Sequence, residues 1–187
     1  MNFGSYKDYN MNNRFFNRHL AGGAMLDIGI YALSFARWFL KSKPEQIVSQ
    51  VKYAPTKVDE QATVLLMNNQ EQMVTIALSL HSKQPKRGMI SCDKGYIEVM
   101  EYPRAMEAIV TYNDRAEKEI IQLGNLSDAL WYEVEDMENA VSGKENQMHL
   151  DYTKDVMDLM TEIRKAWACV ILRKNNSIWR NIYSSLF

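Results

Sequence analysis

Two side chains in the most hydrophobic stretch of the sequence could do acid/base chemistry together. Asp27 and Tyr31 stand four residues apart within segment 13–40, NRFFNRHLAGGAMLDIGIYALSFARWFL. On a helix that spacing stacks both side chains on one face, which would put a carboxylate beside a phenol. The alternative is structural, since Asp27 would offset the helix dipole in the first turn and Tyr31 would be a core aromatic with a satisfied hydroxyl.

A Gly-Gly turn precedes this pair. Gly22 and Gly23 tolerate backbone angles closed to other residues and let a ligand or another segment approach the main chain. We expect the helix to begin near Ala24 and to be buried on more than one side. Apolar residues cover most of its circumference, namely Met25, Leu26, Ile30, Leu33, Phe35, Ala36 and Phe39.

The run R-F-F-N-R-H-L-A-G-G-A-M-L-D-I-G-I-Y resembles the motif that opens the second domain of the Gfo/Idh/MocA oxidoreductases. Tyr31, where His is commoner, resembles the dihydrodiol dehydrogenase branch of that family. The similarity continues in the family's order at residues 43–47, 58–64, 93–97, 131–133 and 162–167. The resemblance thus covers roughly residues 3–167, and the segment from Gly22 to Tyr31 is its most specific part.

This resemblance implies the substrate-binding and oligomerisation domain of an NAD(P)-dependent sugar, polyol or dihydrodiol dehydrogenase. In the complete enzyme a hydride would pass between the nicotinamide and a carbon bearing a hydroxyl. Tyr31 would be the general acid/base on the substrate oxygen, helped by the family's lysine, and Asp27 would orient or tune the site. Arg14 would point at anionic groups of cofactor or substrate, with Gly22 and Gly23 nearby; a surface arginine bound to nothing is the alternative.

The dinucleotide-binding fingerprint is missing. A phosphate-binding turn follows a hydrophobic strand and opens a helix, but the sequence has no GxGxxG, and residues 18–21 ahead of Gly22 are not a strand. The family's nucleotide domain, with its catalytic lysine, normally precedes this region. We therefore expect NAD or NADP in the complete enzyme, and no cofactor binding or activity from this chain alone, as for a truncated or split reading frame.

A second hypothesis is a standalone, non-catalytic binding or assembly module with the same fold. A weaker third is an unrelated α+β domain. The sequence does not separate the first two hypotheses.

Composition excludes several other classes. With 22 basic and 23 acidic residues, the chain lacks the charge for nucleic acid. His19, His81 and His149 fall in different predicted elements, so we expect no metal site. No nucleophile elbow is visible, which leaves hydrolase chemistry unsupported.

Cysteine usage and the termini favour a cytoplasmic protein. Cys92 and Cys169 are far apart in sequence and form no CxxC, so we expect free, buried thiols, and one bridge between them is the alternative. The N-terminus does not resemble a signal peptide. Arg37 and Lys41 interrupt the longest apolar segment before it could span a bilayer.

The remaining elements predict an α+β domain in which helices cover one face of an open, mostly antiparallel sheet. A short strand at residues 2–5 is followed by seven strands with period-2 patterns at 46–53, 61–67, 73–81, 86–92, 95–101, 107–112 and 118–123. Two helices follow. The first starts at Ser127 or Asp128 and stops at Gly143, with an apolar stripe of Leu130, Val134, Met137 and Val141. The second spans about 151–167, with a core face of Val156, Leu159, Met160, Ile163 and Trp167.

We assign residues 1–167 to this domain and 168–187 to an atypical tail, because the sequence stops resembling the family after Trp167. A reading-frame shift near Ala168 is a hypothesis for that tail.

The pattern of two central strands predicts a homodimer. Ala62, Val64 and Leu66 alternate with Thr63, Leu65 and Met67, so both sets could be buried. Helices on one face leave the other face apolar, and a large apolar patch on a soluble chain needs cover. A second copy packed face to face through the open sheet would provide it.

Overall fold

Residues 1–168 are described by the computed structural model, and they form one eight-stranded sheet with three α-helices. The strands are β1 (Asn2–Gly4), β2 (Gln46–Tyr53), β3 (Asp59–Met67), β4 (Met73–Ser79), β5 (Gln84–Cys92), β6 (Gly95–Met100), β7 (Glu107–Tyr112) and β8 (Lys118–Gln122). The helices are α1 (Ile30–Phe39), α2 (Ala129–Val141) and α3 (Leu150–Ala166). The predicted α+β class is confirmed. Residues 169–187, including Cys169 and nearly all of the proposed tail, lie outside the described residues.

The strand order across the sheet is β2-β3-β4-β1-β5-β6-β7-β8. Strand β1 runs parallel to β4, and every other neighbouring pair is antiparallel. Short connections between consecutive strands produce this antiparallel pattern. The predicted short strand at the N-terminus is confirmed, and it lies near the middle of the sheet.

The core lies between one face of the sheet and helices α1 and α3. All five predicted core residues of the second C-terminal helix are buried, and Ile163 is 0% exposed. Burying an aliphatic side chain of that size stabilises the fold by roughly 2 kcal/mol. The Trp167 indole Nε1 donates to Ser49 Oγ of β2 at 2.9 Å, which fixes the end of α3 on the sheet.

Helices α1 and α3 are also joined by an ion pair. Arg37 Nε donates to Asp155 Oδ2 at 2.8 Å, its Nη1 donates to the Leu40 carbonyl at 2.9 Å, and the guanidinium lies 4.0 Å from the Tyr152 ring centroid. Arg37 is 7% exposed. Its charge is therefore satisfied inside the fold.

Helix α1 is less buried than the sequence predicted. Leu33 is 1% exposed, but Trp38 and Phe39 are 52% and 42% exposed, because the sheet and α3 cover only part of the circumference. Segment Arg18–Phe39 is long and apolar enough to cross a membrane by length and composition alone, and half of its most apolar window is buried inside the fold. A core helix passes the same test.

Helix α2 does not join the core. Its predicted stripe has the right period, yet Leu130, Val134, Met137 and Val141 are 51–81% exposed. The predicted start at Asp128 is confirmed, because Asp128 occupies the N-cap position of α2, although its side chain makes no capping hydrogen bond. Asn125 Oδ1 accepts from the Ser127 amide and caps a 3-10 turn that precedes α2. The helix ends before Gly143, whose φ of 68° fits the predicted stop.

In the single chain, strands β3 and β4 bury only the side chains on the face that the helices cover. Val64 and Leu66 face the helices at 0% and 2% exposure, whereas Leu65 points to the open face and is 40% exposed. Cys92, at the end of β5, is exposed. The prediction of a buried thiol at that position was wrong, because β5 runs past the helices that cover the sheet.

Candidate functional site

Two short turns lead into the segment that carries the candidate acid/base residues. They are 3-10 turns at Arg14–Phe16 and Arg18–Leu20, and each is capped by an asparagine. Asn13 Oδ1 accepts from the Phe15 amide at 3.2 Å, and Asn17 Oδ1 accepts from the His19 amide at 2.9 Å. Asparagine is a preferred cap because its short side chain reaches the unpaired amides of the first turn.

The Gly-Gly turn is closely packed. A Cβ on Gly22 would lie 2.5 Å from the Arg14 carbonyl oxygen and 2.7 Å from that of Phe15. Gly23 has φ of 125°, and a Cβ there would collide with the Asp59 carboxylate. Both glycines are buried, so packing against this chain's own atoms accounts for them without a ligand.

The helix begins as a π-helical turn at Met25–Gly29 before it becomes α1. Asp27 lies in the π-helical turn and Tyr31 lies in the first turn of α1. Within residues 1–168 no hydrogen bond joins them. Glycine at position 29 leaves room for the Met25 side chain, because a Cβ there would lie 2.6 Å from Met25 Sδ.

Asp27 is instead paired with Arg14. Arg14 Nη2 donates to Asp27 Oδ1 at 2.5 Å, with the Arg14 side chain 62% exposed and the Asp27 side chain 14% exposed. The guanidinium lies 4.4 Å from the Phe15 ring centroid, and Lys7 Nζ lies 4.4 Å from the same centroid. Arg14 is therefore not a surface arginine bound to nothing. It is held by a carboxylate and an aromatic ring while its outer edge faces solvent.

Tyr31 is 47% exposed, and its ring centroid lies 5.9 Å from that of Phe3 on β1. Lys86 Nζ lies 5.4 Å from the Phe3 centroid and donates to Glu101 Oε2 at 2.7 Å. An exposed phenol beside a buried aromatic residue can exchange a proton with a bound molecule. Sequence reasoning missed Phe3, Lys7 and Lys86, because only the tertiary structure brings them to this segment.

A buried carboxylate lies beneath the turn. Asp59, the first residue of β3, is 0% exposed, and its Oδ2 accepts from the Met25 amide at 2.6 Å. Burial raises the pKa of Asp59 to about 6, against the backbone N–H groups of Met25 and Ala24 and the charge of Arg164, which lower it. Asp59 on β3 thus caps the π-helical turn at Met25–Gly29. In the sequence, residues 58–64 stand out only as part of the family resemblance.

A second carboxylate, Glu60, follows directly. It is 2% exposed, and it accepts from Tyr9 Oη at 2.8 Å and from Lys52 Nζ at 2.7 Å. Burial raises its pKa, but the hydrogen bonds from Lys52 and Tyr9 outweigh burial and hold the pKa below its usual value. Glu60 is therefore a paired structural carboxylate.

The three histidines stay apart. His81 packs against Tyr6 and Tyr9, and His149 packs against Trp38. In the part of the chain that the structure describes, no three His, Cys, Asp or Glu side chains converge on a common point.

Residues 1–98 match the model of the GFO/IDH/MocA C-terminal domain. That match spans more than half of the 187 residues. The chain belongs to this family. All five candidate site residues, Arg14, Gly22, Gly23, Asp27 and Tyr31, lie within the matched segment.

Curated relatives of this GFO/IDH/MocA chain include trans-1,2-dihydrobenzene-1,2-diol dehydrogenases. The Danio rerio enzyme is 35% identical over 83 residues and the Homo sapiens enzyme 34% over 85 residues. The alignments cover 44% and 45% of this chain but 25% of each relative. The match therefore spans about a quarter of the length of these relatives.

Solved structures share the fold. Aldose-aldose oxidoreductase from Caulobacter crescentus, complexed with glycerol, has a TM-score of 0.72 at 19% identity, covering 89% of this chain and 52% of that chain. A variant of KijD10, a 3-ketoreductase from Actinomadura kijaniata in complex with TDP-benzene and NADP, has a TM-score of 0.69 at 15% identity, covering 88% and 51%. This chain thus corresponds to about half of each structure.

Replacing Asp59 with Asn removes the buried titrating group while keeping an oxygen that can accept from the Met25 amide. Because the folded pKa of about 6 lies above the ordinary 3.8, the stability that Asp59 contributes is fully present below pH 3.8 and is lost as pH rises through 6. We expect the free energy of unfolding of Asp59→Asn, relative to the native chain, to increase by about 2 kcal/mol between about pH 4 and about pH 7. Urea titrations of both chains measure this difference, and parallel pH curves would contradict it.

Proposed function

We propose that this chain is the substrate-binding and oligomerisation domain of an NAD(P)-dependent oxidoreductase that acts on a small, carbohydrate-like substrate. One observation carries the proposal: the segment around a closely packed Gly-Gly turn carries both a half-exposed phenol, Tyr31, and an exposed arginine, Arg14, that is held by Asp27. These residues lie in the segment that matches the family model. The curated relatives are dihydrodiol dehydrogenases, and the similar structures are oxidoreductases of sugar-related compounds.

Within this proposal Tyr31 is the general acid/base. Its hydroxyl exchanges a proton with the substrate oxygen, and its ring lies against that of Phe3. Asp27 acts as a positioning residue, because it holds Arg14 by a charge-assisted hydrogen bond. The exposed edge of Arg14 remains available to an anionic group of cofactor or substrate.

The described residues do not fit a dinucleotide. The backbone of residues 14–17 fills the space beside Gly22, and the Asp59 side chain fills the space beside Gly23. The two glycines therefore leave no room for a pyrophosphate. Among residues 1–168 no strand leads into this turn, because it follows two 3-10 turns. We therefore propose that NAD or NADP is held by a separate nucleotide-binding domain and that this chain supplies one wall of the site.

A second candidate is a non-catalytic binding or assembly module, and the open sheet face favours it. That face carries exposed apolar side chains on four strands, including Val48, Leu65, Met73 and Met89 at 40–72% exposure. Antiparallel sheets often keep one face in water, but such a face is then mostly polar. A role in assembly thus explains this face whether or not the chain catalyses a reaction.

For either function we propose a homodimer through the open sheet face. Residues from neighbouring strands make a continuous surface, since Val48 pairs with Leu65 and Leu65 pairs with Thr75. In a two-fold symmetric dimer, the open face of each copy would cover the same face of the other copy. We also propose a cytoplasmic location and no nucleic-acid partner, given the nearly neutral charge of 22 basic and 23 acidic residues.

The isolated chain is expected not to bind NADPH, because residues 1–168 contain no phosphate-binding turn. Titration of NADPH with the chain, followed by nicotinamide fluorescence and by calorimetry, should give no saturable signal at concentrations up to about 1 mM. A dissociation constant in the micromolar range would contradict the assignment of the cofactor to another domain.

Tyr31→Phe should remove most activity once a nucleotide-binding domain from a dihydrodiol dehydrogenase relative is fused ahead of this chain. Loss of a general acid/base lowers kcat by about 100-fold or more, while KM for the diol should change little. Tyr132→Phe is the matched control, because Tyr132 is 43% exposed on α2. Equal turnover by both variants would exclude Tyr31 from the mechanism.

Leu65→Glu combined with Ala77→Glu should dissociate the homodimer, because both changes place unpaired charge on the open face, where burial costs several kcal/mol. Sedimentation of the native chain at tens of micromolar should show a dimer, and the double variant should be a monomer. The control is Leu130→Glu combined with Val134→Glu on α2, and this variant should remain a dimer. A monomeric native chain would refute the proposed interface.

A further inference from the structure

Two cations meet at one aromatic ring in the segment of the candidate site. Lys7 Nζ and the Arg14 guanidinium each lie 4.4 Å from the centroid of the Phe15 ring. Their charges are therefore separated by no more than twice that distance. An aromatic ring orients a cation through its quadrupole but carries no net charge, so the two positive charges still repel each other.

The backbone that carries Lys7 is anchored to the sheet. The Lys7 amide donates to the Leu80 carbonyl at 2.9 Å, and the Lys7 carbonyl accepts from His81 Nδ1 at 3.2 Å. Two residues later, Tyr9 Oη donates to the buried Glu60 carboxylate at 2.8 Å. The Lys7 side chain thus starts from a fixed position, and its ammonium group extends to Phe15.

Phe15 and Arg14 are held from the other side, by the Gly-Gly turn. Phe15 is half-buried against the core, and its carbonyl accepts from the Gly23 amide at 3.0 Å. Arg14 Nη2 donates to Asp27 Oδ1, and the Arg14 side chain is 62% exposed. The other N–H groups of the guanidinium donate to no acceptor within residues 1–168, so they remain available to a ligand.

The charges of this group do not balance. Asp27 pairs with Arg14 and offsets its charge. Lys7 forms no ion pair with any residue of the described part of the chain, and neither does the neighbouring Asp8, which is exposed. One positive charge is therefore in excess, and a single negative charge would neutralise it.

We propose that Lys7 and the free edge of Arg14 bind a carboxylate, so that the substrate is a sugar acid or a related hydroxy acid. A carboxylate supplies one negative charge, and its two oxygens can accept from Lys7 Nζ and from an Arg14 N–H group together. At about 2.8 Å from each donor, it spans a separation that the shared Phe15 ring allows. A phosphate monoester brings nearly two charges, and its excess charge would repel Asp27.

This inference deepens the proposed function, because it names the substrate class of the same site and makes Lys7 a specificity-determining residue. Titration of the full chain with D-glucuronate tests it without catalysis. The NMR signals of the Arg14 Nε–H group and the Lys7 amide should shift with a dissociation constant of about 10 mM or lower at low ionic strength. D-glucuronamide, which has the same ring but no charge, should give no saturable shift.

Matched variants make the result specific. Lys7→Gln should weaken D-glucuronate binding by about tenfold or more, because it removes the charge that lacks a counter-ion. Lys118→Gln on β8 removes an equally exposed type of charge away from Phe15 and should stay within about twofold of the native chain. In the fused enzyme, Lys7→Gln should raise KM for a sugar acid and leave kcat nearly unchanged.

Four results would overturn the proposal. They are no saturable shift with D-glucuronate up to about 100 mM, equal shifts with D-glucuronamide, tighter binding of inorganic phosphate than of D-glucuronate, and unchanged binding by Lys7→Gln. None of them bears on the role of Tyr31, which the kcat of Tyr31→Phe tests separately.

Discussion

The contact of Asp59 with the Gly-Gly turn is the constraint on which the candidate site depends. The carboxylate is fully buried, accepts from the Met25 amide, and leaves no room for a Cβ on Gly23. One side chain from β3 therefore packs against the Gly-Gly turn and caps the π-helical turn that carries Asp27. A buried carboxylate is costly to desolvate, so a position of this kind persists only where backbone donors and a close glycine compensate for the loss of water.

The candidate residues stand where a π-helical turn changes to an α-helix, and each has its own partner. Asp27 pairs with Arg14, and the centroid of the Tyr31 ring lies 5.9 Å from that of Phe3. The carboxylate and the phenol thus have different partners: one positions a cation, and the other is half exposed beside an aromatic residue. π-helical turns occur frequently at functional sites, and this one carries Asp27.

The apolar surface of the domain is unevenly covered. Helices α1 and α3 bury one face of β3 and β4, while the open face and the whole of α2 keep large apolar side chains in solvent. An amphipathic sequence pattern therefore does not by itself show that a helix of this domain is buried. Helix α2 has the period of a core helix, but the described residues provide no surface for its stripe.

The sequence by itself determined the elements and their class. Period-2 strands, the 3.6-residue stripe of α3 and the turn residues between them depend on local chemistry, so the α+β class, the strands and the core face of α3 could be read directly. The motif from Arg14 to Tyr31 likewise named the candidate residues. Only the tertiary structure decided their partners, because Asp59, Phe3 and Lys86 reach this segment through strand order and not through sequence proximity. The same holds for β1, whose three residues look peripheral in sequence yet pair with β4 across more than 70 residues of chain, a long-range contact that no local pattern encodes.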